Sequence, residues 1–542
     1  MAVRGEDTGT EGGAPPALAA EPRRRLAWST AVFSAATGAS RILGLFREIV
    51  VRRYFGVEGP INAFTVAFQV PNLIRSLAAD VALSSAFVPV FSELLEQRDA
   101  ARAWRVASTL FWLVLLGLGV LTGLLILIAP LLMKFFGLEG ELEQLAVGLS
   151  RVLFPIVVLL GLSGIVVGIL NSYEQFSVPA ITPVFWNLAI IVALVVGVPR
   201  VESASGELYV YAGGVLGGTV IQAVTPVWWL RGRDGRIRAV VDLRDPAVKR
   251  VFVLMLPVTL GIGLINFNLL VNTFFAARYI DPELAPSAID AAFRIYMLPQ
   301  GMFAIAVATV LFPRLSRLAA RADAEGFRET VSLGLRQIGF LLVPASAVSA
   351  VLAVPIVRLL YQRGAFDAAE TGVVASALAA FALGLTFNGT MLMLNRAFFS
   401  LQSAWVPTAV ALGNLALNVV LNAGLYRFGI WGIPLATSLV NIAGTGALLA
   451  VFTRRVGPLP RRELASSYLR IAAASAGAAG AAFAVWRGLD VLVGRSLPAQ
   501  VLSVGIAVSS AAAAFVLAAR ILRIRELDAV LSLARRRSRE TR

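Results

Sequence analysis

The sequence predicts an all-α, polytopic membrane protein of about fourteen transmembrane helices, arranged as two parallel-repeat six-helix lobes followed by two C-terminal helices. Three observations point there. Of 542 residues, 58% are hydrophobic and the mean hydropathy is +0.78, well above the roughly 45–50% apolar content of a soluble domain. Apolar runs of about 20 residues, enough to cross a ~30 Å hydrocarbon layer, recur along nearly the whole chain. Segments of the first half are echoed in the second at a constant spacing. Inside a bilayer each backbone N–H and C=O needs a partner within its own segment, so runs of this length are helices.

In chain order the expected spans are 27–55, 61–92, 105–136, 143–170, 178–199, 208–230, 250–278, 286–313, 332–361, 371–401, 405–426, 429–453, 465–487 and 499–522. The first 25 residues, MAVRGEDTGTEGGAPPALAAEPRRR, are rich in Gly, Pro and charge and are expected to be a disordered cytoplasmic tail. They are not read as a cleaved signal, because the apolar run that follows is too long for one. Residues 26–232 then make an N-lobe of spans 1 to 6, and 233–456 a C-lobe of spans 7 to 12. Residues 457–523 hold spans 13 and 14, and 524–542 form a basic cytoplasmic tail.

Loop charge sets the orientation. LRGRDGRIRAVVDLRDPAVKR, PRLSRLAARADAEGFRE, TRRVGPLPRRE and the tail ARRRSRETR fall on one side together with Arg23, Arg24 and Arg25. The opposite side receives FGLEGELEQ, VPRVESASGELY and YIDPELAPSAID, which are acidic or nearly neutral. Lys and Arg mark the cytoplasmic side, so both termini are expected there. The net charge of +16 therefore reads as topology near anionic lipid and not as a nucleic-acid surface. Neither cysteine nor histidine occurs. That excludes disulfides, thiolate nucleophiles, Cys/His metal centres and a histidine base, and leaves any proton coupling to carboxylates.

The repeat rests on paired motifs. INAFTVAFQVPNLI from Ile61 resembles IDAAFRIYMLPQGM from Ile289, and each leads to a proline, Pro89 and Pro313, read as a turn at the exit of its span. LNSYEQFSVPAITPVFWN likewise resembles LNRAFFSLQSAWVPTAVA. Pro89 and Pro313, Asn171 and Asn395, and Pro183 and Pro407 are each 224 residues apart. That offset covers six spans, an even number, so the two copies share one orientation. Parallel repeats that rock about a site between them are a transporter design.

Charges inside the spans carry the functional signal. Span 1 contains SRILGLFREIVVRRYFG, with Arg41 near its middle. Arg52 and Arg53 lie near its outer end, where long stems reach the interface. Arg41, Glu48 and Arg52 share a helix face, and a bend at Gly44 would aim Arg41 and Arg47 at one cavity. Span 2 adds Arg75 and Asp80, and span 8 adds Arg294. An unpaired charge at the bilayer centre costs at least about 2.5–3.5 kcal/mol, so partners are expected. Arg41, Arg47, Arg75 and Arg294 set against Glu48 and Asp80 leave two positive charges unmatched, and the missing partner would be an anion. Arginine's planar fork suits phosphate and keeps its charge at depth. The alternative is that each arginine closes a structural ion pair, Arg75 with Asp80 among them.

Arg151 and Arg396 lie near span ends and read as interfacial. Asn266, Asn268, Asn272 and Thr273 in span 7, with Asn414, Asn418, Asn422, Thr437, Ser438 and Asn441 in spans 11 and 12, could ligate a cation through side-chain oxygens. The plainer reading is hydrogen bonding between helices.

At these residues a family resemblance enters. SRILGLFRE followed by FGVEGPINAFTVAFQVPNLIRSLAADVALSSAFVPVFSE resembles the signature region of the MurJ (MviN) lipid II flippases. These belong to the multidrug/oligosaccharidyl-lipid/polysaccharide exporter superfamily. The resemblance continues through AFRIYMLPQGMFAIAVATVLFPRLS, LLYQRGAFDAAET and NRAFFSLQSAWVPT, and covers most of residues 28 to 453. It implies two six-helix lobes plus two helices forming a groove for a polyprenyl tail. The activity it implies is movement of an undecaprenyl-diphosphate disaccharide-pentapeptide to the outer leaflet of a bacterial plasma (inner) membrane, by alternating access.

The resemblance assigns Arg41, Arg47, Arg75 and Arg294 to the diphosphate, and Ser40, Glu48, Asn62 and Asp80 to the polar and acidic lining of the cavity. It implies no cofactor beyond a coupling cation, sodium or proton, or the membrane potential, and Asn272 and Ser403 are the candidate cation ligands. Expected partners are lipid II, membrane lipids and proteins of cell-wall synthesis and division, around a monomeric chain. Two positions depart from the family pattern: Asn62, where an aspartate is usual at the mouth of the cavity, and Asn272, often acidic.

Other readings stay open at this level. An exporter of another polyprenyl-diphosphate glycan would share the arginines. A drug exporter would be expected to line its cavity with carboxylates and aromatics. An enzyme acting on prenyl diphosphates needs an Asp-rich Mg²⁺ motif, and the sequence has none.

Overall fold

The computed structural model describes residues 17–78 and 82–527. The first half runs α1 (Ala17–Phe55), α2 (Ile61–Ala78), α3 (Ala82–Glu96), α4 (Ala100–Phe135), α5 (Gly140–Leu153), α6 (Ile156–Ser172), α7 (Ser177–Val192) and α8 (Ala204–Trp228). The second runs α9 (Pro246–Phe275), α10 (Ala285–Pro299), α11 (Ile305–Ala320), α12 (Ala324–Val351), α13 (Ala353–Tyr361), α14 (Ala368–Ser400), α15 (Trp405–Leu425) and α16 (Gly432–Arg455). Then follow α17 (Arg461–Leu492) and α18 (Leu497–Ile521).

Eleven of the described helical stretches are long and apolar enough to cross a membrane. The other three expected spans fall on α1, whose charges dilute its hydropathy, on α2 with α3, which flank residues 79–81, and on α9. The first helix begins at Ala17, so residues 17–25 of the expected disordered tail are helical. Pro89 and Pro313 are not turns at span exits, because each lies inside a helix, α3 and α11. Neighbouring helices can satisfy the carbonyl that a proline frees within a bundle.

The duplication is visible in the register of the elements. Helices α2 and α10 start 224 residues apart, as do α4 and α12. The N-caps match as well: Asp99 accepts from the Arg102 N–H at 3.0 Å, and Asp323 accepts from the Gly326 N–H at 2.9 Å. Such caps supply acceptors for N–H groups that have no partner within the helix. By this register Ile61 answers to Ala285, so the INAFTV and IDAAFR echo is displaced by four residues, about one helical turn.

Packing separates the halves and shows where they meet. In the first half α7 packs against α1 and α8, while α6 packs against α3, α4 and α8. In the second, α14 packs against α10, α12 and α16, and the α17–α18 pair lies on α12. Helix α9 touches α2 and α3 on one side and α15 on the other, and α2 meets α10 directly.

The loop entering α9 is pinned to α4. Arg102 donates from Nε and Nη2 to the two carboxylate oxygens of Asp245 at 2.9 and 2.8 Å. The N–H groups of Arg238 and Asp242 donate to the Ser108 and Thr109 hydroxyls at 3.0 Å each. The hydrogen bond from Arg102 holds the Asp245 carboxyl below the usual carboxylate range.

Candidate substrate site

The site forms where α1 of the first half meets α10 of the second. Helical spacing builds its α1 side: Glu48 and Arg52 are one turn apart and project together. On α10, Asp290 and Arg294 have the same spacing. The four side chains interlock. Glu48 Oε1 accepts from Arg52 Nε at 3.0 Å and lies 2.8 Å from Nη2. Glu48 Oε2 lies 3.1 Å from Arg294 Nε of the other half and 3.7 Å from Arg47 Nη2. Asp290 Oδ2 accepts from Arg294 Nε at 2.8 Å and from Arg52 Nη2 at 3.2 Å. Arg52 also donates to the Ser287 hydroxyl and to the Gly56 carbonyl.

This corrects the reading of Arg52. It does not reach the interface but is 2% exposed, between two carboxylates. Asp290, overlooked in the sequence, is its second partner. The only clue to it was the i, i+4 pairing with Arg294.

Arg47 is buried as well, with its guanidinium carbon 4.8 Å from the centre of the Trp186 ring. Its Nε has no hydrogen-bond partner. Arg41 stands outside the cluster: it is exposed, and its Nη1 donates to the Gly301 carbonyl at 3.1 Å. Helix α1 runs unbroken through Gly44, and Arg41 and Arg47 have different partners. The half-buried Ser40 lends its carbonyl to Asn187 at 3.4 Å. Arg75 belongs to α2, but its side chain, like the whole of Asp80, lies outside the described residues.

The balance of charge in the described cluster has other members than the sequence count and a smaller excess. Arg47, Arg52 and Arg294 stand against Glu48 and Asp290, an excess of one positive charge in the cluster, with Arg41 apart from it. The open flank is on α10, where the Arg294 side chain keeps 38% of its exposure and Asp290 20%. An anion approaching there meets a guanidinium already oriented by two carboxylates. A hollow of about 570 Å³ lined by Leu243, Lys249, Phe252 and neighbours lies at the start of α9, away from this chemistry.

Asn62 is not at a cavity mouth. It is fully buried, with Nδ2 donating to the carbonyls of Val57 at 2.8 Å, Gly59 at 3.1 Å and Glu283, while Oδ1 accepts from the Ser287 N–H at 2.8 Å. It therefore staples the turn after α1 to the start of α10.

The two candidate cation ligands do not meet. Asn272 donates to Thr437 Oγ1 at 3.1 Å and accepts from Asn422 at 2.9 Å. Ser403 accepts from Arg455 at 3.2 Å. Thr437 and Arg455 lie on one helix, 18 residues and roughly 27 Å apart. Around Asn272 the described oxygen donors are amides and a hydroxyl, with Asn422 also donating to Asn418 at 3.1 Å. No group of three or more acidic side chains suited to a metal occurs among the described residues. The hydrogen bonds shown pair these groups with one another, and neutral oxygens alone do not assign a bound ion. No step below runs through one.

The fold and the site together define a class, the multi-pass transporters built from two parallel six-helix halves. A solved structure titled as the inward-facing conformation of a multidrug resistance MATE family transporter of the MOP superfamily superposes with a TM-score of 0.66 at 17% identity. The match covers 77% of this chain and 94% of that one. A structure titled "Lipid II flippase MurJ, inward closed conformation" superposes with a TM-score of 0.74 at 25% identity, covering 90% of this chain and 99% of that one. The family model described as lipid II flippase MurJ matches residues 51–502. The lipid II flippase MurJ of Burkholderia cenocepacia is 32% identical over 71% of this chain and 75% of that relative. The probable lipid II flippase MurJ of Bdellovibrio bacteriovorus is 30% identical over 84% and 88%. The chain belongs to the MurJ lipid II flippase family.

Proposed function

We propose that the protein moves lipid II across a bacterial plasma membrane from the cytoplasmic to the outer leaflet, by alternating access around the arginine cluster. It is a transporter and not an enzyme. With the basic loops placed in the cytoplasm, α1 runs outward and the cluster lies toward its outer end. The conformation described is then closed outside. The two halves are knitted at that end by Glu48 with Arg294, by Arg52 with Asp290, and by Asn62 with Glu283 and Ser287.

The observation that carries the reading is the buried Glu48 carboxylate, 3% exposed, shared by Arg47 and Arg52 of one half and Arg294 of the other. A diphosphate brings about two negative charges to a cluster that holds one positive charge in excess. By competing for Arg47 and Arg294 it would loosen the bridges that hold the outer end shut, so loading and opening become one event. Binding energy shifts such an equilibrium only through contacts that differ between the two states, and these arginines would change partner.

The test is whether the chain sustains bacteria depleted of their own lipid II flippase. Rescue by the parent, with loss of rescue in Arg47→Ala and Arg294→Ala at matched membrane levels, is the expected outcome. Equal rescue by both variants would return the arginines to a structural role.

A further inference from the structure

Beyond the arginine cluster a second carboxylate joins the halves, and among the described residues no salt bridge to it occurs. Glu370 lies in the first turn of α14 and is 5% exposed. Its Oε1 accepts from the backbone N–H groups of Val57 at 2.7 Å and Glu58 at 2.9 Å, both in the turn that ends α1 in the opposite half. Its Oε2 accepts from the Asp367 N–H at 3.1 Å, and Asp367 in return caps the Glu370 N–H at 2.8 Å. That capping box fixes the carboxylate before the other half arrives.

The facing turn is shaped to receive it. Gly56 has φ +60°, and a Cβ there would stand 2.6 Å from Glu370 Oε1. Gly364, at φ +66°, would place a Cβ 2.2 Å from the Arg53 carbonyl, which accepts from the Ala365 N–H at 2.9 Å. Both glycines therefore serve close approach and left-handed backbone at once. The Val57 side chain, 0% exposed, is buried in the core of the second half.

We propose that Glu370 is the latch residue of the outer end. Its carboxylate, preset on α14, clasps the α1–α2 turn, and the outer end opens only when those two N–H groups let go. Glu370 is thus a positioning residue for transport that touches no substrate. Two backbone N–H groups aimed at one carboxylate make a charge-assisted contact that a neutral side chain reproduces poorly. The proposal rests on the transport reading for the name of the end it closes, but its test does not need lipid II.

The chain contains no cysteine, so one introduced at Val57 is a unique reporter of opening. Intact cells carrying Val57→Cys are treated with a membrane-impermeant maleimide, and the labelling rate is compared among variants made in that background. Glu370→Gln is expected to label about tenfold faster, the loss of a charged acceptor appearing as a larger open fraction. Asp367→Ala removes the helix cap but keeps its own backbone donor, and is expected to label at the parental rate.

Parental labelling in a folded Glu370→Gln protein would overturn the latch. So would an equal rise in Asp367→Ala, since the effect would then be general loosening of α14. If Glu370→Gln does not reach the membrane, Gly56→Ala, which wedges the same contact, decides in its place: faster labelling supports the latch and an unchanged rate refutes it. A failed rescue of flippase-depleted cells alongside fast Glu370→Gln labelling would remove the lipid II reading and leave the latch standing.

Discussion

At the scale of single residues, Glu48 carries more of the account than any arginine, because arginines of both halves share its carboxylate. Glu48→Gln leaves three guanidiniums around Asp290 alone, and removing one partner of a buried ion pair costs about 3–5 kcal/mol. A marked fall in the melting midpoint of the purified protein is expected. Pairing Glu48→Gln with Arg294→Gln should recover part of that loss, and simple additivity would show the two side chains to be uncoupled. Asn62 gives a sharper case. Asn62→Asp would replace the donor that serves the carbonyls of Val57, Gly59 and Glu283 with an acceptor oxygen. Unpaired buried acceptors cost roughly 1–3 kcal/mol, so the variant should raise Val57→Cys labelling, and a parental rate would refute the staple. Arg47, Glu48 and Arg294 were legible in the sequence because charge inside an apolar run needs a partner. Arg52 and Asp290 were not. Depth had been judged from α1 alone, and the arrival of α10 is what buries that end. The role of Glu370 between the halves was invisible for the same reason, since its partners there lie 313 and 312 residues away.

At the scale of elements, hydropathy placed most helices within a few residues of their ends. It could not show how expected spans subdivide. The span expected at 332–361 is divided between α12 and α13, and the one at 286–313 passes through a π-helical turn at Gln300–Ala304 before α11. Both are adjustments made by packing. The docked loop before α9 also escaped the sequence reading, which took its arginines only as orientation signals. Because the folded-state pKa of Asp245 is depressed, its contribution to stability is present above the unfolded value near about pH 4. That contribution is lost as pH falls through the lower folded value. Asp245→Asn should let trypsin cut faster among Arg231 to Arg244 at neutral pH. The gap in melting midpoint between parent and variant should close below about pH 4. A gap that persists there would show that Asp245 acts other than as a carboxylate.

At the scale of the whole molecule, the 224-residue register explains why one pattern of caps and helix starts occurs twice. It also leaves the chemistry to the places where the copies differ. Helix α1 carries the arginines, whereas α9 carries Asn268 and Asn272 and bridges α2, α3 and α15. The site is thus asymmetric within a symmetric frame, as carrying a substrate with one charged head requires. Translocation of lipid II by the purified protein in liposomes tests the central claim most directly, with Arg47→Ala and Arg294→Ala alongside. The account requires that the parent moves lipid II, that excess inorganic diphosphate slows it, and that each variant loses most of the rate. Transport unchanged by either variant, with no competition from diphosphate, would contradict it.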